Sequence, residues 1–170
     1  VFANITHRLA DSGMRKGFAC LFYGAPGTGK TETVLQLARK TGRALMQVNI
    51  STIKDKYVGE SEKNIKNLFD RYRQLVESEP IAPILFFNEA DAIFNKRSEN
   101  TVRAVDKMEN AIQNIILQEM ETLDGILIAT TNLTSNLDSA FERRFIYKVK
   151  FAAPSLEAKQ AIWLSMIPSL

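Results

Sequence analysis

A glycine-rich stretch at residues 24–31 constrains the fold of this chain more than any other feature. It matches the pattern G-x-x-x-x-G-K-S/T at every fixed position. The apolar residues 18–23 before it predict a strand, and residues 31–40 after it predict a helix with one apolar face. A loop of this kind, held between a strand and a helix, is typical of α/β folds. The stretch consists of Gly24, Ala25, Pro26, Gly27, Thr28, Gly29, Lys30 and Thr31.

The residue types in this stretch predict that it binds a phosphate chain. Glycines allow backbone N–H groups to surround a phosphate without clashes from Cβ atoms. The N-terminus of the following helix adds unpaired N–H donors and a partial positive charge. Lys30 can then reach the β- and γ-phosphates, and the Thr31 hydroxyl can ligate Mg²⁺. Because a glycine-rich turn that matched by accident would leave the flanking strand and helix unexplained, we predict a nucleoside triphosphate site.

The composition predicts one compact globular domain. The chain has 170 residues, of which 45% are hydrophobic and 24% are charged, and both shares are ordinary for such a domain. It contains no apolar run of membrane-spanning length and no signal-peptide pattern, so we expect no membrane partner. Because the chain opens on Val1 and ends at Leu170, just after a helical pattern has begun, we expect it to be a piece of a longer protein.

Charge and cysteine content bear on partners and location. The net charge is +3, from 22 basic and 19 acidic residues that are mixed along the predicted helices. Because no basic block is present, a nucleic-acid partner is not expected. Cys20 is the only cysteine, so no disulfide can form within the chain, and a reducing cytoplasm is the predicted location.

Apolar strand-like runs alternate with amphipathic helices along the chain, which predicts a parallel sheet covered by helices. Apolar residues at three- and four-residue spacing predict one long helix from about Ser61 and another before the fourth strand. In the second and fifth strands apolar side chains alternate with mostly polar ones, whereas the other three strands are continuously apolar. The second and fifth strands are therefore predicted at opposite edges of the sheet. The predicted strands are 18–23, 44–50, 83–87, 126–131 and 145–151.

Two polar residues, Asn88 and Glu89, directly follow the third predicted strand. In phosphate-loop ATPases the first of these positions is normally an Asp that holds Mg²⁺, and the second is a Glu that polarises the attacking water. Asn88 keeps an oxygen that can face the metal but lacks the negative charge, so we expect weakened Mg²⁺ binding and slow hydrolysis. The alternative is that the pair only caps a helix and has no catalytic duty.

Asn132 occupies the corresponding place after the fourth strand. An amide at the end of a strand beside the third one can orient the attacking water or contact the γ-phosphate. An Asn that simply ends a strand in a turn explains the same residue, and the sequence leaves the two interpretations open.

Taken together, these elements resemble the AAA+ ATPases, specifically the AAA type, over nearly the whole chain. The stretch 24–31 matches Walker A, residues 84–89 match Walker B except at Asn88, and residues 129–132 are similar to sensor 1. The resemblance implies ATP or ADP with Mg²⁺ as cofactors. It also implies an α/β three-layer sandwich with a five-stranded parallel sheet in the order 5-1-4-3-2. Residues 1–153 would form this nucleotide-binding domain, and residues 154–170 would begin a helical lid.

The resemblance extends to two further segments. Residues 137–145 resemble the segment that carries arginine fingers, which implies that Arg143 or Arg144 acts on the nucleotide of a neighbouring subunit in a ring, expected to be a hexamer. The alternative is an exposed basic pair at the end of a short helix. Residues 56–62 resemble the first pore loop of AAA unfoldases, which implies that Tyr57 and Val58 grip a protein or peptide substrate. Packing within the subunit is the alternative there.

Three functions remain in competition at this point. The first is a ring-forming ATPase that remodels or unfolds proteins. The second is a nucleotide-dependent scaffold or switch with weak or no hydrolysis, because Asn88 replaces the usual Asp. The third is a DNA-handling AAA+ protein, against which the Tyr57 loop and the absence of a basic block both argue.

Overall fold

A computed structural model describes residues 17–49, 60–94, 104–133 and 137–166. Within these ranges five strands form one parallel sheet, in the order β2-β3-β4-β1-β5, with six helices around it. The strands are β1 (Phe18–Gly24), β2 (Leu45–Asn49), β3 (Ile84–Asn88), β4 (Ile126–Thr131) and β5 (Tyr147–Phe151). The helices are α1 (Lys30–Thr41), α2 (Glu60–Ser78), α3 (Asp91–Phe94), α4 (Ala104–Glu121), α5 (Ser139–Arg144) and α6 (Leu156–Met166).

This strand order is the predicted one, and the α/β fold class is confirmed. The continuously apolar strands β1, β3 and β4 occupy the centre of the sheet, and the alternating strands β2 and β5 lie at its edges. Alternate residues of the central strands enter two separate clusters. Ala19 and Leu21 belong to the cluster that also contains residues of α2 and α4. Phe18 and Phe22 belong to the cluster that contains residues of α1, so helices cover both faces of the sheet in three layers.

The start of the fifth strand differs from the prediction. Residues 145–151 were predicted as one strand, but β5 begins only at Tyr147. Phe145 instead follows the end of α5, where its N–H donates to the Phe141 carbonyl at 3.2 Å. Its ring packs edge-on against Phe94 in the core. The predicted strand was too long because Phe145, a buried residue before β5, fits the same alternating pattern as the residues of the strand.

The lid predicted for residues 154–170 stays a prediction. Helix α6 begins soon after β5 ends, and several of its large apolar side chains are exposed, among them Leu156, Trp163 and Leu164. Over the described part of the chain, none of the helices combines the length and apolar character needed to cross a membrane.

Tyr72 joins α2 to the start of β4 through its hydroxyl group. The side chain is fully buried, and its Oη accepts a hydrogen bond from the Ile126 N–H at 2.7 Å. The carbonyl oxygens of Pro83 and Ile126 lie 2.9 and 3.0 Å from the same Oη and accept its proton. Burial raises the pKa of Tyr72 to about 12, so the hydroxyl stays protonated across the physiological range.

Tyr72→Phe should lower the free energy of unfolding by about 1–3 kcal/mol, because it leaves buried backbone groups without a partner. Urea denaturation followed by circular dichroism measures this difference. Tyr147→Phe is the matched control, since Tyr147 is 41% exposed, and it should change stability by less than about 0.5 kcal/mol. Equal losses in the two variants would contradict the role of the Tyr72 hydroxyl.

Candidate active site

A pocket of about 420 Å³ opens at the carboxyl ends of the three central strands. It is lined by residues 26–32 after β1, by Glu89 after β3 and by residues 130–132 at the end of β4. Ligands of open parallel sheets bind at this edge. The chain thus brings the glycine-rich stretch together with Glu89 and Asn132, which are far apart in the sequence.

The glycine-rich loop is fixed at both of its ends. At the first end, Gly24 pairs with the last residue of β5, and a Cβ atom on Gly24 would lie only 2.2 Å from the Phe151 carbonyl oxygen. At the other end Gly29 precedes α1 with a left-handed backbone, φ 88°, which glycine adopts without steric cost. Within the loop, the Thr28 hydroxyl donates to the Ala25 carbonyl at 2.9 Å. These constraints direct the N-terminus of α1 into the pocket.

Lys30 is buried, with 7% of its surface exposed, and its ammonium group has three acceptors. Nζ donates to the carbonyl oxygens of Gly24 and Ala25, both at 2.8 Å, and to Asn132 Oδ1 at 2.9 Å. Burial lowers the pKa of Lys30, while the nearby carboxylates of Asp91 and Glu89 act in the opposite direction. The three hydrogen bonds fix the Lys30 ammonium group between the loop and the end of β4.

Asn88 contacts the first turn of α1 through its amide oxygen. The hydroxyl groups of Thr31 and Thr130 lie 3.0 and 3.1 Å from Asn88 Oδ1. Thr130 is itself buried, with 1% exposure. The arrangement gathers oxygen atoms of Thr31 and Asn88, which are of the type that Mg²⁺ prefers.

Glu89 is exposed at the rim of the pocket and has an unusual backbone conformation. Its φ is +52°, and it is the only residue other than glycine with positive φ in the described ranges. Thr130 holds this turn, because its Oγ1 accepts the Glu89 N–H at 3.0 Å and its carbonyl accepts the Ala90 N–H at 2.9 Å. Strained backbone of this kind persists where the surroundings fix it, often at functional sites.

Asp91, at the start of α3, is a residue of this site that the sequence analysis missed. Its Oδ1 accepts hydrogen bonds from the Thr131 hydroxyl and, at 2.8 Å, from the Asn132 N–H. Its Oδ2 accepts from Asn132 Nδ2 at 3.2 Å. The Asn132 amide is therefore held from both ends, with Nδ2 towards Asp91 and Oδ1 towards Lys30. An acidic residue two positions after Glu89, at a helix start, was the available signal.

The two predicted arginines lie on α5, outside the lining of the pocket. Asp138 caps this helix by accepting the Ala140 N–H at 2.8 Å. Arg144 forms an ion pair with Glu121 at the end of α4, whereas the Arg143 side chain is exposed. Tyr57 and Val58, the predicted pore-loop residues, fall outside the described residues.

Comparison with known proteins decides the family. Residues 20–153 match the family described as "ATPase family associated with various cellular activities (AAA)". The chain belongs to the AAA family. The matched range contains every element of the pocket, from the glycine-rich loop to the end of β4. AAA membership places the chain among the domains of an ATPase family.

Three named proteins align with most of this chain. The chain is 34% identical to "26S proteasome regulatory subunit 7 homolog B" of Arabidopsis thaliana, over 87% of this chain and 32% of that protein. It is 34% identical to "Vacuolar protein sorting-associated protein 4B" of Mus musculus, over 84% of this chain and 32% of that protein. It is 29% identical to "Cell division protein C" of Sulfolobus acidocaldarius, over 85% of this chain and 39% of that protein. The chain thus spans well under half of the length of each of these relatives.

Proposed function

We propose that this AAA domain hydrolyses ATP in an assembly of several copies and uses the reaction to remodel or unfold protein substrates. The observation that carries the proposal is that Lys30, Thr31, Glu89 and Asn132 line one shared pocket. The names of the relatives, which include a proteasome regulatory subunit, support a role in handling proteins.

Nucleotide binding is assigned to the loop and the first turn of α1. The backbone N–H groups of residues 24–31 and the Lys30 ammonium would contact the phosphates, as expected for this motif. To reach a phosphate, Nζ has to exchange at least one of its acceptors, since three carbonyl or amide oxygens lie within 2.9 Å of it. The exchange replaces neutral acceptors with charged ones, which form stronger hydrogen bonds.

Thr31 and Asn88 fit a magnesium ion whose remaining ligands come from phosphate and water. Their Oγ1 and Oδ1 atoms lie 3.0 Å apart, and both are neutral oxygen donors. When bound, Mg²⁺ would neutralise charge on the phosphates. Because Asn88 supplies no negative charge, the protein's own contribution to metal affinity is smaller than that of an Asp at this position.

Glu89 and Asn132 are proposed to act on the attacking water. The Glu89 carboxylate at the pocket rim would serve as the general base. Asn132 would direct its amide towards the γ-phosphate or the water, and Asp91 would fix the orientation of that amide through Nδ2. Each role depends on the turn at Glu89, which places this residue beside the end of β4. Thr130 holds the turn by accepting the Glu89 N–H.

Action of an arginine on a neighbouring subunit is assigned to Arg143. Arg144 and Arg143 are adjacent on α5, but Arg144 is paired with Glu121 within its own subunit. The exposure of Arg143 supports it as the residue that reaches outward. Tyr57 and Val58 keep their proposed role in gripping a protein substrate, and a hexameric ring and a cytoplasmic location also stay predictions.

A scaffold or switch with little hydrolysis is the second candidate function, and Asn88 is the observation that favours it. This candidate retains nucleotide binding and assembly, but predicts hydrolysis close to the background rate even when Mg²⁺ saturates the protein. The wild-type rate in the following experiment separates the two candidates.

Lys30→Ala should weaken ATP binding by about 1.5–3 kcal/mol, the usual contribution of a charge-assisted hydrogen bond. Titration of a fluorescent ATP analogue measures the affinity, and phosphate release measures hydrolysis in the same samples. Lys40→Ala is a matched control, because Lys40 lies in the last turn of the same helix and is exposed. Unchanged ATP affinity in Lys30→Ala would overturn the assigned nucleotide site.

A further inference from the structure

We propose that the Thr130 hydroxyl is a positioning group that keeps the amide oxygen of Asn88, rather than its NH₂ group, turned towards Thr31 and the metal. The inference rests on the proposed function, because it concerns the magnesium site. It assigns to Thr130 a specific task that exists only because residue 88 is an Asn.

An Asn at a position that faces a metal has an orientation problem that an Asp does not have. The two oxygens of a carboxylate are equivalent, so either of them can face the cation. The amide of Asn88 has an acceptor on one side and two N–H donors on the other, in nearly the same shape. If the NH₂ group faced the cation, the site would lose an oxygen donor and gain a partial positive charge. Efficient use of Asn88 therefore requires a neighbour that selects one orientation.

The sheet places Thr130 where it can make this selection. Strands β3 and β4 are paired with Phe87 opposite Ala129, so the next residues, Asn88 and Thr130, meet at the edge of the pocket. Thr130 Oγ1 lies 3.1 Å from Asn88 Oδ1. Because the Thr130 carbonyl also accepts the Ala90 N–H, the two chain segments are fixed to each other on both sides of this contact.

The hydrogen bonds of Thr130 define the direction of that contact. Its Oγ1 accepts the Glu89 N–H at 3.0 Å, and a backbone N–H can only donate. The hydroxyl proton still needs an acceptor, because Thr130 is buried, and Asn88 Oδ1 is within reach. Thr31 cannot make the selection alone, since its more exposed hydroxyl can donate or accept. Reversal of the Asn88 amide would leave the buried Thr130 proton facing a donor.

Two substitutions at residue 130 test the hydroxyl without a large change in volume. Thr130→Val removes the hydroxyl group, and Thr130→Ser retains it. The protein's affinity for a non-hydrolysable fluorescent ATP analogue is measured at increasing Mg²⁺ concentrations. The readout is the Mg²⁺ concentration that gives half of the maximal increase in affinity. Binding is used instead of turnover, because Thr130 also holds the Glu89 N–H and its loss would slow hydrolysis independently of the metal. Thr130→Val should raise this Mg²⁺ concentration about three- to tenfold, the range given by one neutral hydrogen bond, while Thr130→Ser should stay within about twofold.

The same substitutions in an Asn88→Asp background isolate the orientation effect. With a carboxylate at residue 88 no orientation has to be selected, so Thr130→Val should shift the Mg²⁺ requirement by less than about twofold, and the two changes should be non-additive. An equal shift in both backgrounds would overturn the inference, because Thr130 would then act through packing. Wild-type Mg²⁺ dependence in Thr130→Val would overturn it as well.

Two further controls keep the outcomes distinct. If wild-type protein bound the analogue with no Mg²⁺ dependence, the proposed metal site and the inference would both be wrong. If the wild type depended on Mg²⁺ and Thr130→Val matched it, only the inference would be wrong. Thr130→Ala, which also lacks the hydroxyl, carries the same expectation should Thr130→Val fail to fold, and thermal denaturation of each variant checks its folding.

Discussion

Replacement of Glu89 by Gln is expected to leave ATP binding intact and to lower the rate of hydrolysis by about 10²–10⁴-fold, the range that a general base supplies. Gln has nearly the shape of Glu and keeps the backbone N–H that Thr130 accepts. The negative charge is lost, and with it the ability to take a proton from water. Single-turnover phosphate release measures the rate, and titration of the fluorescent analogue measures the affinity.

Glu32→Gln is the control for this change. Glu32 lines the same pocket from the first turn of α1, and its carboxylate accepts a hydrogen bond from the Gln36 side chain at 2.7 Å. The two variants therefore remove the same charge from the same cavity, and Glu32→Gln should change hydrolysis by less than about threefold, as expected for a group that transfers no proton. Survival of hydrolysis in Glu89→Gln would mean that the base lies elsewhere, and Asp91 would be the next carboxylate to test.

Arg143→Ala is expected to lower the rate of hydrolysis by about 10³-fold or more, as loss of an arginine finger does, with little change in ATP affinity. Arg143 lies outside the pocket lining of its own subunit, so its effect has to be exerted on the site of a neighbour. The specific activity of the wild type should for the same reason rise with protein concentration. Arg144→Ala, on the same helix, should reduce hydrolysis less, because Arg144 is paired with Glu121.

A mixture of variants tests whether Arg143 acts between subunits. Neither Arg143→Ala nor Glu89→Gln alone should hydrolyse ATP at an appreciable rate. In the mixture, a subunit with an intact Glu89 can lie beside a subunit with an intact Arg143, and activity should return at those sites. A mixture no more active than the sum of its parts, or an Arg144→Ala loss as large as that of Arg143→Ala, would contradict the assignment.

Most of the fold was predictable because the pattern of apolar residues in each strand indicates whether the strand lies at the centre or at an edge of the sheet. The central strands β1, β3 and β4 are continuously apolar since both of their faces are covered. The edge strands β2 and β5 alternate in sequence, although in β5 the apolar residues Tyr147 and Val149 are exposed as well. The family prediction, which depended on the glycine-rich stretch and its neighbours, is confirmed over residues 20–153. The error at Phe145 arose because its ring is buried against Phe94, a contact that no local pattern reports.

The supporting residues of the site were less predictable than the motif residues. Asp91 contacts Asn132, which lies 41 residues further along the chain, and the contact exists only because β3 and β4 are neighbours in the sheet. The contrast between Arg143 and Arg144 likewise depends on Glu121, a residue of another helix. Sequence motifs identify the residues that contact a ligand. The residues that orient those side chains are brought to them by tertiary contacts, which a motif does not show.

The position of Gly24 under the end of β5 changes how an alanine scan of the loop should be interpreted. A methyl group on Gly24 would collide with the Phe151 carbonyl oxygen, so Gly24→Ala would disturb the pairing of β1 with β5 whether or not a phosphate is bound. Among the described residues, apart from the immediate chain neighbours of Gly29 and its own helix backbone, no atom lies within 4 Å of a Cβ position there. Alanine at Gly29 would therefore act through its backbone conformation, since φ is 88°. Two equal losses of nucleotide binding in such a scan would thus have unrelated causes, a disturbed strand pairing at Gly24 and a strained backbone at the N-terminus of α1 at Gly29.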